Sequence, residues 1–224
     1  MTVASLTPHP QRAIGVFGGT FDPIHYGHLR MAEELAEALA LEEVRIIPAG
    51  QPPHRGAPRT PARHRLEMAR RAVADNPRFR LDEREVRLAR ASYTVDTLAD
   101  LRAELGNSRP IWLFMGADAF LGLAAWKEWR RLFELAHIAV AHRPGYRLEH
   151  SDTLNDRLRQ ELDRRQVPSP PPAPAGGILL RPTTQLDIAA TDIRSRLKAG
   201  HSVRYLVPDS VLDYIRQNRL YSPV

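Results

Sequence analysis

The segment 13–48 constrains the fold more than any other part of the chain. An apolar run at 13–17 (AIGVF) stops at Gly18-Gly19. A run this short, ended by breakers, reads as a buried strand entering a tight turn. From 27 to 40, Leu29, Ala32, Leu35, Ala36 and Leu39 recur at three-to-four spacing, with Glu33, Glu34 and Glu37 on other faces, so the spacing predicts an amphipathic helix. A second strand follows at 44–48 (VRIIP). Such a unit implies a right-handed crossover between two parallel strands. The alternation continues with a basic helix at 61–75, a short strand at 78–81, a helix at 94–105 and an apolar strand at 111–115 (IWLFM). One or two helices then fill 118–135, and 138–141 is another strand. The expected fold class is α/β: a Rossmann-like doubly wound parallel sheet with C-terminal helices.

The regularity breaks near Arg143. After a helix at 154–165, five prolines crowd into positions 168–174, and Gly176-Gly177 follows. This reads as a stiff, exposed and mobile connector near 166–177. A strand at 178–180 and helices at 192–199 and 209–218 close the chain. That remainder is too short for its own core, so 1–224 is expected to form a single domain with a surface excursion.

Composition narrows the function classes. Apolar residues make up 43% of 224 residues and charged residues 26%, as in an ordinary globular chain. No apolar run suits a membrane span, and the polar N-terminus carries no secretory h-region. A cytoplasmic protein with no membrane association is the expectation. With no cysteine, disulfide scaffolds and cysteine-ligated metal sites are excluded. The net charge is +6, and all of the 32 cationic residues except Lys127 and Lys198 are arginine. Codon bias in a GC-rich genome accounts for most of that excess. Excess positive charge also suits an anionic partner, either nucleic acid or phosphorylated small molecules.

The chemistry concentrates in residues 18–28, GGTFDPIHYGH, between the first strand and the first helix. In an open parallel sheet the carboxyl ends of the strands face the ligand crevice. Gly18 and Gly19 allow a sharp turn and a close approach of backbone to ligand. The N–H groups of such a turn, with the helix N-terminus, favour phosphate. His25 and His28, three apart, share one face of a first helical turn, where two imidazoles suit phosphate oxygens. Gly27 between them leaves room for a flat base or ribose. A metal reading of the two histidines is weak, because the zincin glutamate and a third ligand are missing. Further along, Thr191 or Asp192 is placed to cap a helix, with Arg194 adding a charge-assisted contact.

These eleven residues resemble the GGxFDPxHxGH signature of the nucleotidylyltransferase superfamily at every defined position. IAATDIR at 188–194 is similar to the family's ISSTxIR motif, with Ala189 and Ala190 in place of its serines. SYTVDTL at 92–98, Gly116-Ala117-Asp118, Arg143-Pro144-Gly145 and PPHR at 52–55 resemble segments of the bacterial nicotinate-nucleotide adenylyltransferases. Arg55 stands where that family usually has lysine, keeping the charge but changing its reach. The resemblance spans about residues 13–217 and leaves the Pro-rich stretch aside.

The resemblance implies adenylyl transfer from ATP to nicotinate mononucleotide. It makes His25, His28 and Arg194 catalytic. It makes Gly18, Gly19, Thr20, Phe21, Gly27, Arg55, Gly116, Asp118, Thr191 and Ile193 binders of ATP. Thr94 and Trp126 become binders of nicotinate mononucleotide, Trp126 by stacking on the pyridine ring. It also implies Mg²⁺ carried by the ATP phosphates, with no protein metal cage. Nicotinamide mononucleotide and phosphopantetheine remain alternative acceptors within the superfamily. The chain shows no zinc finger, basic-aromatic RNA motif or recognisable helix-turn-helix, so nucleic acid is not an expected partner. Oligomeric state is not readable from the sequence.

Overall fold

The computed structural model describes residues 12–51, 59–88, 90–145, 148, 151 and 153–222. Six strands form one sheet: β1 (Ile14–Gly19), β2 (Glu43–Pro48), β3 (Phe79–Leu81), β4 (Ile111–Gly116), β5 (His137–His142) and β6 (Ile178–Pro182). Their order is β3-β2-β1-β4-β5-β6, with every pairing parallel. The chain first winds outward from β1 to β3, then returns to lay β4 on the other side of β1. The switch point of this doubly wound sheet therefore falls between β1 and β4, where such sheets open a crevice.

Burial on both faces explains why the strands read as unbroken apolar runs. Ile111 through Met115 are all buried, as are Ile138 through Ala141. One face of the sheet packs on α1 (Tyr26–Ala38), α2 (Ala62–Val73), α8 (Ala190–Lys198) and α9 (Asp209–Gln217), joining Ala32, Leu35, Met68, Ile193, Val211 and Ile215 in one cluster. The other face packs on α4 (Thr94–Leu105), α6 (Leu132–Leu135) and α7 (Asp156–Arg165), through Leu98, Leu101, Leu132, Leu158 and Leu162. Gly15 lies beneath the Phe114 ring: an added Cβ would sit 2.8 Å from it, so β1 and β4 pack closely only with glycine there.

The expected elements are present, with shifted ends. The segment 118–135 divides into α5 (Ala117–Leu121), two single 3₁₀ turns and α6, broken by Gly122 and by Glu128 at φ 48°. A four-residue helix, α3 (Arg84–Arg87), has too few apolar residues to show a period. The Pro-rich connector is exposed but not loose. His137, fully buried at the start of β5, donates from Nε2 to the Ala173 carbonyl (2.7 Å) and accepts the Gly177 N–H at Nδ1 (2.9 Å). Arg102 and the Ile111 amide both donate to the Pro174 carbonyl. The C-terminal part of the connector is thus fastened to the amino-terminal rim of the sheet.

Candidate active site

The carboxyl ends of β1 and β4 open into a cleft of about 920 Å³. Gly18, Gly19, Thr20, Phe21, His25 and His28 line one side, and Ala189, Ala190, Thr191 and Arg194 contribute from the start of α8. Thr94, Gly116, Asp118 and Trp126 line the opposite side, together with Ser92, Tyr93 and Lys127. Residues scattered from 16 to 194 in sequence therefore share one cavity. Arg55 lies outside the described residues.

The loop after β1 is built around Phe21, a buried residue in the left-handed conformation at φ 49°. Its ring meets Phe17 edge-on at 5.5 Å and His28 at 5.1 Å. Gly19 makes this possible, since a Cβ there would lie 2.7 Å from the Phe21 ring. The Asp22–Pro23 peptide is cis. His25 is the extended N-cap residue of α1, and its ring stacks on that of His28 with centroids 3.7 Å apart. Burial holds His25 well below its ordinary value, at about 4. Its Nδ1 is buried with no protein partner, so the ring is neutral near pH 7 and lacks a hydrogen-bond partner that a ligand in the cleft could supply.

Three expectations are corrected here. Gly27 does not line the cleft; a Cβ there would lie 3.0 Å from the His25 ring, so its bareness gives space to that imidazole rather than to a base or ribose. Ile193 is fully buried in the core and faces no part of the cleft, so its role in the motif is packing. Neither Thr191 nor Asp192 caps α8, because the helix begins earlier, with Ala189 as N-cap and no side-chain acceptor. Alanine is the best helix former and fits the first turn, which displaces Thr191 into the helix. The first amide of α1 is also taken, since the Tyr26 N–H donates to the Leu206 carbonyl (3.0 Å).

Two polar centres escaped the sequence reading. Arg65 is buried at 1% exposure and donates to the carbonyls of Thr60, Thr20, Ala49 and Gly50 at 2.6–3.1 Å. One side chain thus fastens the loops leaving β1 and β2. Its position on the apolar face of α2, in step with Met68, Ala69 and Val73, was the available signal. Asp22 is also buried; its carboxylate accepts the Tyr221 hydroxyl (2.5 Å) and the Arg59 amide (3.2 Å), and its carbonyl accepts Arg194 Nη1 (2.6 Å). Nothing near Asp22 in sequence announces a partner 199 positions away.

A model of the cytidylyltransferase-like family matches residues 16–196, and the chain belongs to that family. A Dechloromonas aromatica protein named probable nicotinate-nucleotide adenylyltransferase is 54% identical over 210 residues, covering 93% of this chain and 97% of that one. A Halorhodospira halophila protein of the same name is 53% identical over 205 residues, covering 90% and 92%. Within the family, the chain stands among the nicotinate-nucleotide adenylyltransferases. A Plasmodium falciparum nicotinic acid mononucleotide adenylyltransferase complexed with NaAD has the same fold, with a TM-score of 0.71 at 17% identity, covering 94% of this chain and 98% of that one.

Proposed function

We infer that this chain transfers the adenylyl group of ATP to nicotinate mononucleotide, yielding deamido-NAD and pyrophosphate. The observation that carries this reading is the single cleft in which His25, His28 and Arg194 face Thr94 and Trp126 across the switch point. One side offers imidazoles, bare turns and a guanidinium for phosphates; the other offers an indole and a helix start for a planar ring bearing a carboxylate. The relatives' names and the family signature agree with it.

In this reading a phosphate oxygen of the acceptor attacks the α-phosphorus of ATP. The new P–O bond forms as the bond to the bridging oxygen breaks, and pyrophosphate leaves with both electrons of that bond. The attacking oxygen is already ionised near pH 7, so the reaction needs no general base. The chain's work is alignment and stabilisation of charge on the phosphates. His25 and His28 hold phosphate oxygens, Arg194 adds a charged donor, and the turn at Gly18–Phe21 receives the nucleotide. Asp118, Gly116 and Thr191 complete the ATP site within the same cleft; Arg55 is assigned to ATP from the family signature alone. Among the described residues no cluster of three or more His, Asp or Glu could cage a metal ion. We assign Mg²⁺ to the ATP phosphates, as MgATP, on the family resemblance. No helix among the described residues is long and apolar enough to cross a membrane. We place the reaction in the cytoplasm, without nucleic acid as a partner.

Pyrophosphate release from MgATP tests the reading, with nicotinate mononucleotide, nicotinamide mononucleotide and phosphopantetheine supplied separately. Turnover with the first should exceed that with the others. Activity only with another acceptor would overturn the substrate while sparing the class of reaction.

A further inference from the structure

The chain's end reaches the phosphate side of the cleft. After α9, two non-glycine residues in the left-handed conformation, Arg219 and Tyr221, turn the backbone back toward the motif loop. The Tyr221 hydroxyl then donates to Asp22 Oδ1 at 2.5 Å, with the Thr60 side chain beside it. Burial and the adjacent Asp22 push the phenol well above its usual range, so it remains a donor at any working pH. Asp22 passes the restraint on. Its carbonyl holds Arg194 Nη1 at 2.6 Å, and Arg194 Nε is buried without a protein partner at the cleft wall. Thr20, two residues earlier, is held from the other side by Arg65. The loop between β1 and α1 is thus fixed at Thr20 by a helix and at Asp22 by the C-terminal segment.

We propose that Tyr221 is a positioning residue for the nucleotide. Its hydroxyl sets Asp22, and Asp22 sets the guanidinium of Arg194 and the turn that receives the phosphates. The geometry acts on one substrate only, because Tyr221 has no contact with the side bearing Thr94 and Trp126. The effect on turnover rests on the adenylyl-transfer reading above, whereas the effect on nucleotide binding does not.

The test is Tyr221→Phe, which keeps the ring and deletes one donor. It is read by the affinity for Mg²⁺-α,β-methylene-ATP and by KM for each substrate. Losing a hydrogen bond to a charged acceptor should weaken nucleotide binding on the order of tenfold. KM for ATP should rise in parallel, and KM for nicotinate mononucleotide should stay within about twofold, as for a site left untouched. Tyr205→Phe, at an exposed tyrosine that does not line the cleft, serves as the control and should change neither. The decisive arm repeats Tyr221→Phe in an Arg194→Ala background, where its effect on nucleotide affinity should largely vanish, since coupled residues are non-additive. Unchanged affinity, or the same loss with and without Arg194, overturns the proposal. Weakened nucleotide binding in a protein that makes no product from nicotinate mononucleotide would leave the latch standing and remove the acceptor assignment.

Discussion

Acidification should unfold this protein in part through His25. The ring is 5% exposed and burial lowers its pKa from 6.5 to about 4. The folded state therefore resists a proton that the unfolded chain accepts readily below pH 6.5. The sign follows from this difference in bound protons: the contribution is intact above the unfolded value and is lost as pH falls toward the folded one. Proton linkage between 6.5 and about 4 removes about 2 kcal/mol by pH 5 and about 3 kcal/mol by pH 4. Urea unfolding of the wild type and of His25→Gln, measured from pH 7.5 to pH 4 (roughly the span over which both forms titrate), isolates the term. Carboxylates titrating in the same window appear in both proteins and cancel in the difference. The wild type should lose stability faster by the stated amounts. Parallel profiles for the two proteins would refute the argument from burial.

His28→Ala should lower turnover by a factor on the order of 10²–10³, the effect of losing one stabilising donor, in a steady-state pyrophosphate assay; near-normal turnover of the folded variant would remove His28 from the mechanism. Trp126→Ala should raise KM for the pyridine nucleotide more than KM for ATP, and equal changes would reduce the indole to packing. Arg65→Leu should cost about 3 kcal/mol or more in chemical denaturation, because it strips donors from buried carbonyls; a loss below about 1 kcal/mol, the net worth of a single typical hydrogen bond, would mean that water replaces the guanidinium.

The elements legible in the sequence share a local cause. Strands β1, β4 and β5 lie buried on both faces and so appear as uninterrupted apolar runs, while α1 and α4 show their buried stripe at helical spacing. The motif at residues 18–28 is legible because its turn, histidines and helix start adjoin one another. What stayed hidden depends on tertiary contact. Gly27 reads as space for a ligand until the His25 ring is found against it. The start of α8 moved because Ala190 continues the helix where a capping hydroxyl at Thr191 seemed the natural boundary. Asp22 and Tyr221 have no shared pattern, and only the folded chain brings them together.

The fastening of the Pro-rich connector to His137, Arg102 and Ile111 has a practical corollary. It places the tip at 168–172 on the rim opposite the cleft mouth, exposed apart from Pro171 yet anchored on its C-terminal side by residues that belong to the sheet. A reporter peptide or surface-attachment tag spliced into that tip would project away from the entering nucleotides. The anchors at Ala173 and Pro174 would shield β5 and β6 from the added mass. The molecule thus offers one end for chemistry and the other as a handle.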